Sequence, residues 1–182
     1  MDKDAAAGNN DGSSWTDAYT NLTNALTRST GEFWVAEGTY TPGTDATNTF
    51  YIKTNLVYGG FAGTETSLSE RDWTNNPTIL SGDLGGSVYA RNIVTKQSSG
   101  FAVLDGFTIK DAEGVGTKGA GVSNALGNMA IQNCIFTNLF ANLQGGAIYS
   151  AGTGIGVTNC TFIQCYLTNG SGGAVFCAGA GL

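Results

Sequence analysis

The chain has 182 residues, enough for one domain or one repetitive array, and its 41% hydrophobic and 12% charged residues leave Ser, Thr, Asn and Gly to face water. Fourteen acidic against eight basic side chains give a formal charge of -6, which excludes the Lys/Arg footprint of a nucleic-acid binder. Twenty-eight glycines beside only two prolines exclude a Pro-Gly linker, and no run approaches the roughly 20 apolar residues that span a bilayer, so membrane insertion of this segment is not expected either.

The first four residues lack the basic-then-apolar order of a leader peptide. A mature exported chain has shed its leader, so this does not assign the protein to the cytoplasm. Residues 1–30 are expected to form an N-terminal cap. Trp15, Ala18, Tyr19, Leu22, Ala25 and Leu26 fall at helical spacing behind Ser13 or Ser14 as N-cap, which predicts one amphipathic helix laid across the open end of a repeat array. Trp15 and Trp34 are assigned to cap and core packing. The alternating stretch 32–40 breaks at Gly38 and starts the first coil. Residues 31–100 read as irregular coils, with strands over 50–52, 56–58, 78–80 and 92–94 and an external polar loop near 63–76 that carries Trp73.

From about residue 101 the sequence repeats every 26 to 27 residues. Asn133-Cys134-Ile135-Phe136 recurs as Asn159-Cys160-Thr161-Phe162, and Gly145-Gly146-Ala147-Ile148 recurs as Gly172-Gly173-Ala174-Val175. A third copy lies upstream, with Phe107-Thr108-Ile109 in the slot of Cys134-Ile135-Phe136 and Gly119 to Val122 in that of Gly145 to Ile148. Within each copy the apolar residues alternate over short runs, so the repeat is a coil of β-strands, because Gly-Gly would cost a helix about 1 kcal/mol per glycine. Stacked coils lie about 4.8 Å apart and place equivalent residues in ladders: Phe136 on Phe162, Ile148 on Val175, Cys134 on Cys160, and Asn133 on Asn159 at a bend whose backbone an inward amide would satisfy. Strands over 102–109 and regular coils over 101–182 complete an all-β parallel β-helix, or β-solenoid, of about five to six coils. The final residues 178–182 carry no polar cap, so this end either continues into more coils or docks, for instance on another copy head to tail.

Cys134, Cys160, Cys165 and Cys177 lie in the last third without a C-x-x-C pair, and the chain has no His, so no metal site is expected. Cys134 and Cys160 either fill the interior as stacked thiols or form a disulfide between coils, for which a spacing of about 4.8 Å is allowed.

The Gly-Gly-Ala-Ile and Gly-Gly-Ala-Val signatures and Phe136-Thr137-Asn138 resemble the GGA[ILV] and FxxN repeats of chlamydial polymorphic outer-membrane proteins. The second signature departs from that pattern, since Asn138 follows Phe136 by two positions and Gln164 follows Phe162 by two. The segments 34–40, 58–66, 71–73 and 104–109 make the whole chain similar to large secreted β-helix repeat proteins of the pectin-lyase-like superfamily. This resemblance implies a right-handed parallel β-helix and an extracellular or cell-surface location, while the superfamily spans lyases, hydrolases, adhesins and passengers on one scaffold.

Its hydrolases use clustered Asp with a nearby His, which is absent here; its lyases pair Arg or Lys with calcium-binding carboxylates. The catalytic candidates are therefore Asp105, Asp111 and Arg91. Asp105, Asp111 and Glu113 share parity if one straight strand carries them, with Lys110 between, and Arg71, Lys96 and Lys118 are further bases. Against a catalytic role, Asp105 would serve the bend that Asn133 and Asn159 serve, and Asp111 takes the slot of Asn138. Trp73 and Tyr89, with Tyr58, are the candidate sugar platforms. The expected function is a structural or adhesive extracellular module rather than an enzyme. A polysaccharide or a host or cell-surface ligand is its expected partner, with self-association through the C-terminal coil. No cofactor is expected, calcium entering only under the alternative of a polysaccharide lyase; a head-to-tail filament subunit is the other alternative.

Overall fold

In the computed structural model, which describes residues 1–5, 8–27 and 30–179, alternation of apolar and polar side chains becomes alternation of inward and outward positions on fifteen described strands. The first coil comprises β1 (Thr30–Ala36), β2 (Gly38–Tyr40) and β3 (Phe50–Ile52); the second, β4 (Thr54–Phe61), β5 (Thr78–Ser81) and β6 (Val94–Lys96). The third holds β7 (Phe101–Asp105), β8 (Phe107–Gly114) and β9 (Val122–Asn124). The fourth holds β10 (Asn128–Gln132), β11 (Ile135–Ala141) and β12 (Ile148–Ser150), and the fifth β13 (Gly154–Thr158), β14 (Thr161–Leu167) and β15 (Val175–Cys177). Every third strand pairs in parallel, giving three five-stranded sheets: β1-β4-β7-β10-β13, β2-β5-β8-β11-β14 and β3-β6-β9-β12-β15. The chain is a parallel β-solenoid of five turns.

The register reproduces the sequence repeat. Phe33, Val57, Leu104, Ile131 and Val157 form one inward ladder. Tyr40, Leu80, Ile109, Phe136 and Phe162 form a second, in which the last two rings stack at 5.0 Å and 11°. Phe50, Val94, Val122, Ile148 and Val175 form the third. The middle members are sealed from water, whereas Phe33, Val157, Phe162 and Val175 in the two end coils are only partly buried. Each inner rung is covered by the coil on either side, so interior burial needs at least three coils.

The Gly-Gly-Ala signature turns the corner into the third sheet. Gly145 has φ +61°, and a Cβ there would meet the Ile148 carbonyl oxygen at 2.0 Å; its equivalents Gly119 and Gly172 share the left-handed conformation. Gly146 has an ordinary φ but lies so close to the next coil that a Cβ would come within 2.3 Å of the Gly173 carbonyl oxygen. Ala147 and Ile148 then enter the core, and the backbone of Ala174 and Val175 pairs beside them.

Several expectations need correction. The N-terminal helix is a single short turn, α1 (Leu22–Leu26), capped by the Asn21 side chain, which accepts from the Asn24 amide. Trp15, Ala18 and Tyr19 belong to an irregular loop before it, because Asp17 organises that segment by accepting amides from Asn9, Asp11 and Gly12 through side chain and backbone, a pattern that competes with helix. α1 still covers the first coil with buried Leu22, Ala25 and Leu26. The strand expected at 92–94 lies at Val94–Lys96, and that expected over 102–109 is broken by Gly106 at φ +81° into β7 and β8, on different sheets. Of the final segment, residues 180–182 lie outside the described residues.

Candidate functional site

The bend between the first and second sheets needs a left-handed residue in each regular coil. Gly106, Asn133 and Asn159 supply it, with φ of 81°, 50° and 51°; Asn tolerates this region because its short amide bonds locally. Asp105 therefore does not occupy the slot of Asn133: it pairs with Gln132, one residue earlier. Its carboxylate accepts from Asn133 Nδ2 at 2.8 Å, and the Asn133 oxygen accepts from Asn159 Nδ2 at 2.6 Å. The amides thus run along the stack to one another rather than inward to the turn backbone.

The other Asp105 oxygen is held by Arg71 Nη2 at 2.7 Å, with side chains only 10% and 7% exposed. Arg71 arrives on the external loop 62–77, whose base is pinned where the Asp72 amide donates to the Gly60 carbonyl. Gly60, at φ +92°, lets the Trp73 backbone approach to 2.6 Å of where a Cβ would stand. The guanidinium lies 4.9 Å from the Trp73 ring centroid and 5.1 Å from that of Tyr58. Trp73, though 40% exposed, thus serves to clamp the loop on its buried ion pair. Tyr89 sits in a separate excursion, antiparallel to Asp83, and no ring contact joins it to Trp73 among the described residues.

Asp111 does occupy the slot expected of it. Asp111, Asn138 and Gln164 are the second left-handed ladder, at φ 59°, 53° and 50°, and Asn138 Nδ2 donates to Asp111 Oδ1 at 2.7 Å. Lys110 stands 3.1 Å from the other oxygen. Because Gly106 breaks the strand, Asp105 faces out from the first sheet while Asp111 and Glu113 lie on the second, so the shared parity proposed for a lyase site does not exist. Arg91 lies in the loop entering β6, where its amide bonds Ala46 and its carbonyl accepts from Thr117. No three His, Cys, Asp or Glu side chains gather among the described residues.

Lys96, grouped in sequence with the outer bases, is an interior residue with 0% exposure. It continues the ladder of Ile52, Asn124, Ser150 and Cys177. Its ammonium donates to the Ser98 carbonyl and, at 2.8 Å, to that of Leu126. Burial lowers its pKa. The sequence signal was available: Val94-Thr95-Lys96 has the parity of Phe50-Tyr51-Ile52.

Cys134 and Cys160 stack as thiols. Burial drives the Cys134 pKa well up, while Cys160, more exposed, is lowered to about 7 chiefly because the Cys134 thiol hydrogen-bonds it. A groove of about 300 Å³ beside the bend ladder is lined by Trp73, Phe107, Ile135, Asn133 and Asn159, and neither carboxylate nor base lines it among the described residues.

A larger concavity lies elsewhere. A cleft of about 480 Å³ opens between residues 11–19, the start of β1 and Glu65. Trp34 points outward from β1, opposite in parity to the inward Phe33 and Val35, and stacks on Phe61 at 4.8 Å and 8°. Trp15 packs 5.6 Å from the same Phe61 and donates its indole N–H to the Glu65 carbonyl at 2.9 Å. Trp15 packs from the N-terminal segment as expected, whereas Trp34, assigned from sequence to packing inside, lies on the outer side of β1, and the two form an aromatic cluster over the buried Phe61. Their separation in sequence hid the grouping.

The geometry defines the class of the protein as a parallel β-solenoid whose polar ladders join one coil to the next. No family model matches the chain, and no match was found among curated proteins or among solved structures.

Proposed function

We propose that the chain is an extracellular structural or adhesive module of a bacterial surface or secreted protein, presenting a rigid solenoid of the pectin-lyase-like kind rather than performing catalysis. One observation carries this reading: Asp105, Asp111 and Lys96, among the acids and bases that a polysaccharide-cleaving β-helix would use, are engaged in holding coils together. Asp105 binds Arg71 and Asn133, Asp111 binds Lys110 and Asn138, and Lys96 is sealed inside. A general base or metal ligand must reach its substrate; Asp105 and Lys96 are buried, and Asp111, 22% exposed, has one oxygen bonded by Asn138 of the next coil and the other beside Lys110.

The test is incubation with neutral and acidic polysaccharides, with and without calcium, read by reducing ends and unsaturated uronate. Retention on an intact polysaccharide or cell surface without product is the expected result. Product formation that Asp105→Ala or Asp111→Ala abolishes would overturn the reading in favour of a calcium-assisted lyase.

A second reading, self-association, is favoured by the partial exposure of Val157, Phe162, Leu167 and Val175 in the fifth coil. Because α1 covers the first coil, a head-to-tail stack would have to displace its cap. Contact between two fifth coils is the arrangement that leaves both caps in place, and it closes at a dimer. Light scattering over a concentration series tests it: a dimer supports this second reading, and a monomer at all concentrations removes it.

A further inference from the structure

The cleft of about 480 Å³ beside β1 falls within the roughly 300–1,000 Å³ of small-ligand sites. Its walls are built rather than incidental. Asp17 fixes the outer wall: its side chain accepts from the Asn9 amide at 2.7 Å and the Ser14 hydroxyl at 2.8 Å, while its backbone oxygen accepts from the Asp11 and Gly12 amides. The Trp15 indole ties that wall to the external loop through Glu65. Glu32 accepts from the Trp34 indole N–H, which orients both side chains.

The arrangement of rings selects among ligands. Trp15 and Trp34 lie 6.4 Å apart at 43°, each against Phe61. Rings in mutual contact leave no room for an ammonium between them, so this is not an aromatic cage for a cation. It is an apolar platform edged by polar residues: Ser13, Ser14, Glu32 and Asp11 all line the cleft, the Ser14 hydroxyl being engaged by Asp17. An apolar plane beside hydroxyl-bonding groups suits the C–H face of a pyranose ring, with its hydroxyls directed to Ser and carboxylate oxygens. Among the described lining residues no side chain is basic, the Met1 α-amino group there donates to the Trp34 carbonyl at 2.6 Å, and exposed carboxylates repel uronates.

We propose that this cleft is a binding site for a neutral oligosaccharide, with Trp15 and Trp34 as its stacking platform and Glu32 and Ser13 as hydroxyl-bonding groups. This deepens the adhesive reading above and rests on it for its biological sense.

The full chain is titrated with hexamers of β-1,4-glucan, xylan, mannan and chitin, with oligogalacturonate, and with choline, following tryptophan fluorescence and saturation-transfer NMR. At least one neutral hexamer is expected to bind saturably, while oligogalacturonate and choline bind at least about tenfold more weakly, a difference of about 1.4 kcal/mol. Trp34→Ala should weaken binding about tenfold or more and Glu32→Gln severalfold, whereas Trp73→Ala should leave it unchanged. If Trp34→Ala fails to fold by circular dichroism, Ser13→Trp, which fills the cleft from an exposed loop position, should abolish binding in a folded protein. Saturation by no neutral hexamer, equal binding of uronate or choline, or binding that survives Ser13→Trp would overturn the proposal. Binding in the cleft followed by cleavage of the hexamer would instead refute the non-catalytic module and leave the site standing. Adhesion to intact surfaces without hexamer binding would refute the site and leave the module.

Discussion

Truncating Phe136 probes the physical claim on which the solenoid depends, that residues 26 positions apart lie face to face. Phe136 is 0% exposed, with Ile109 on one side in register and the Phe162 ring stacked at 5.0 Å on the other. Phe136→Ala removes a fully buried ring and leaves a cavity between two rigid coils, for which about 3–5 kcal/mol is expected. Of this, about 0.5–1.5 kcal/mol belongs to the aromatic pair beyond burial. Phe162 is only partly buried and has a partner coil on one described side, so Phe162→Ala should cost roughly half as much, about 2 kcal/mol. The assay is urea unfolding followed by circular dichroism, with both single variants and the double variant. Against a total of about 5–15 kcal/mol for a domain, the larger loss is easily resolved. The double-variant cycle should return a coupling near 1 kcal/mol. A Phe136→Ala cost no larger than that of the exposed Ile135→Ala, or a coupling of zero, would refute the in-register stack.

Arg71→Ala should destabilise by about 3 kcal/mol, because it strands a carboxylate that is 7% exposed. Asp105→Asn should cost less, since the amide keeps an acceptor for Asn133; urea midpoints check both, and equal effects would argue against the ion pair as the anchor of the loop. Alkylation of Cys160 by iodoacetamide should rise with a midpoint near pH 7, its pKa of about 7 reflecting the Cys134 hydrogen bond. The thiolate is the reactive form, so the rate falls below that pH, and Cys134→Ala should move the midpoint up toward the ordinary ~8.5; mass spectrometry resolves the site, and an unmoved midpoint would count against the pair. Gly145→Ala should cost more than about 1–2 kcal/mol, since the left-handed φ penalises Cβ and the Ile148 carbonyl lies 2.0 Å from it. A thermal midpoint equal to the parent's would contradict the corner geometry.

The repeat made the fold legible because a solenoid converts sequence period directly into spatial neighbourhood. Phe136 over Phe162, Ile148 over Val175 and the glycine corners could be read by aligning the chain with itself. The site was less legible. Asp105 and Asn133 were correctly associated with one bend, but the one-residue offset that makes Gly106 the left-handed position and Asp105 an acceptor is invisible without register. Lys96 was grouped with surface bases because charge suggests exposure, although its parity with Ile52 placed it inward. The helix expected over the first tryptophan failed because six apolar positions at helical spacing competed with Asp17 as a local acceptor, and the local bonds prevailed. The Trp15, Trp34 and Phe61 cluster was beyond reach, since its members come from an irregular loop and two coils that do not obey the period.

That last failure points to where recognition belongs in such a protein. In coils three to five each side chain is constrained by equivalents in the adjacent coils, so residues there stack first: amides at the bends, glycines at the corners, aliphatics within. The first two coils break the repeat with excursions over 41–49, 62–77 and 82–93 and with the segment before α1. Side chains in these excursions have no copy to match, and they are free to gather with unrepeated strand residues such as Trp34 and Phe61. Arg71, brought in by one excursion, spends that freedom on anchoring. Trp15, brought in by another, spends it on a cleft beside β1, which is the terminal strand of its sheet among the described residues. On the proposed reading the regular half of the solenoid would be the spacer, and the irregular half would offer a ligand the shapes that occur only once.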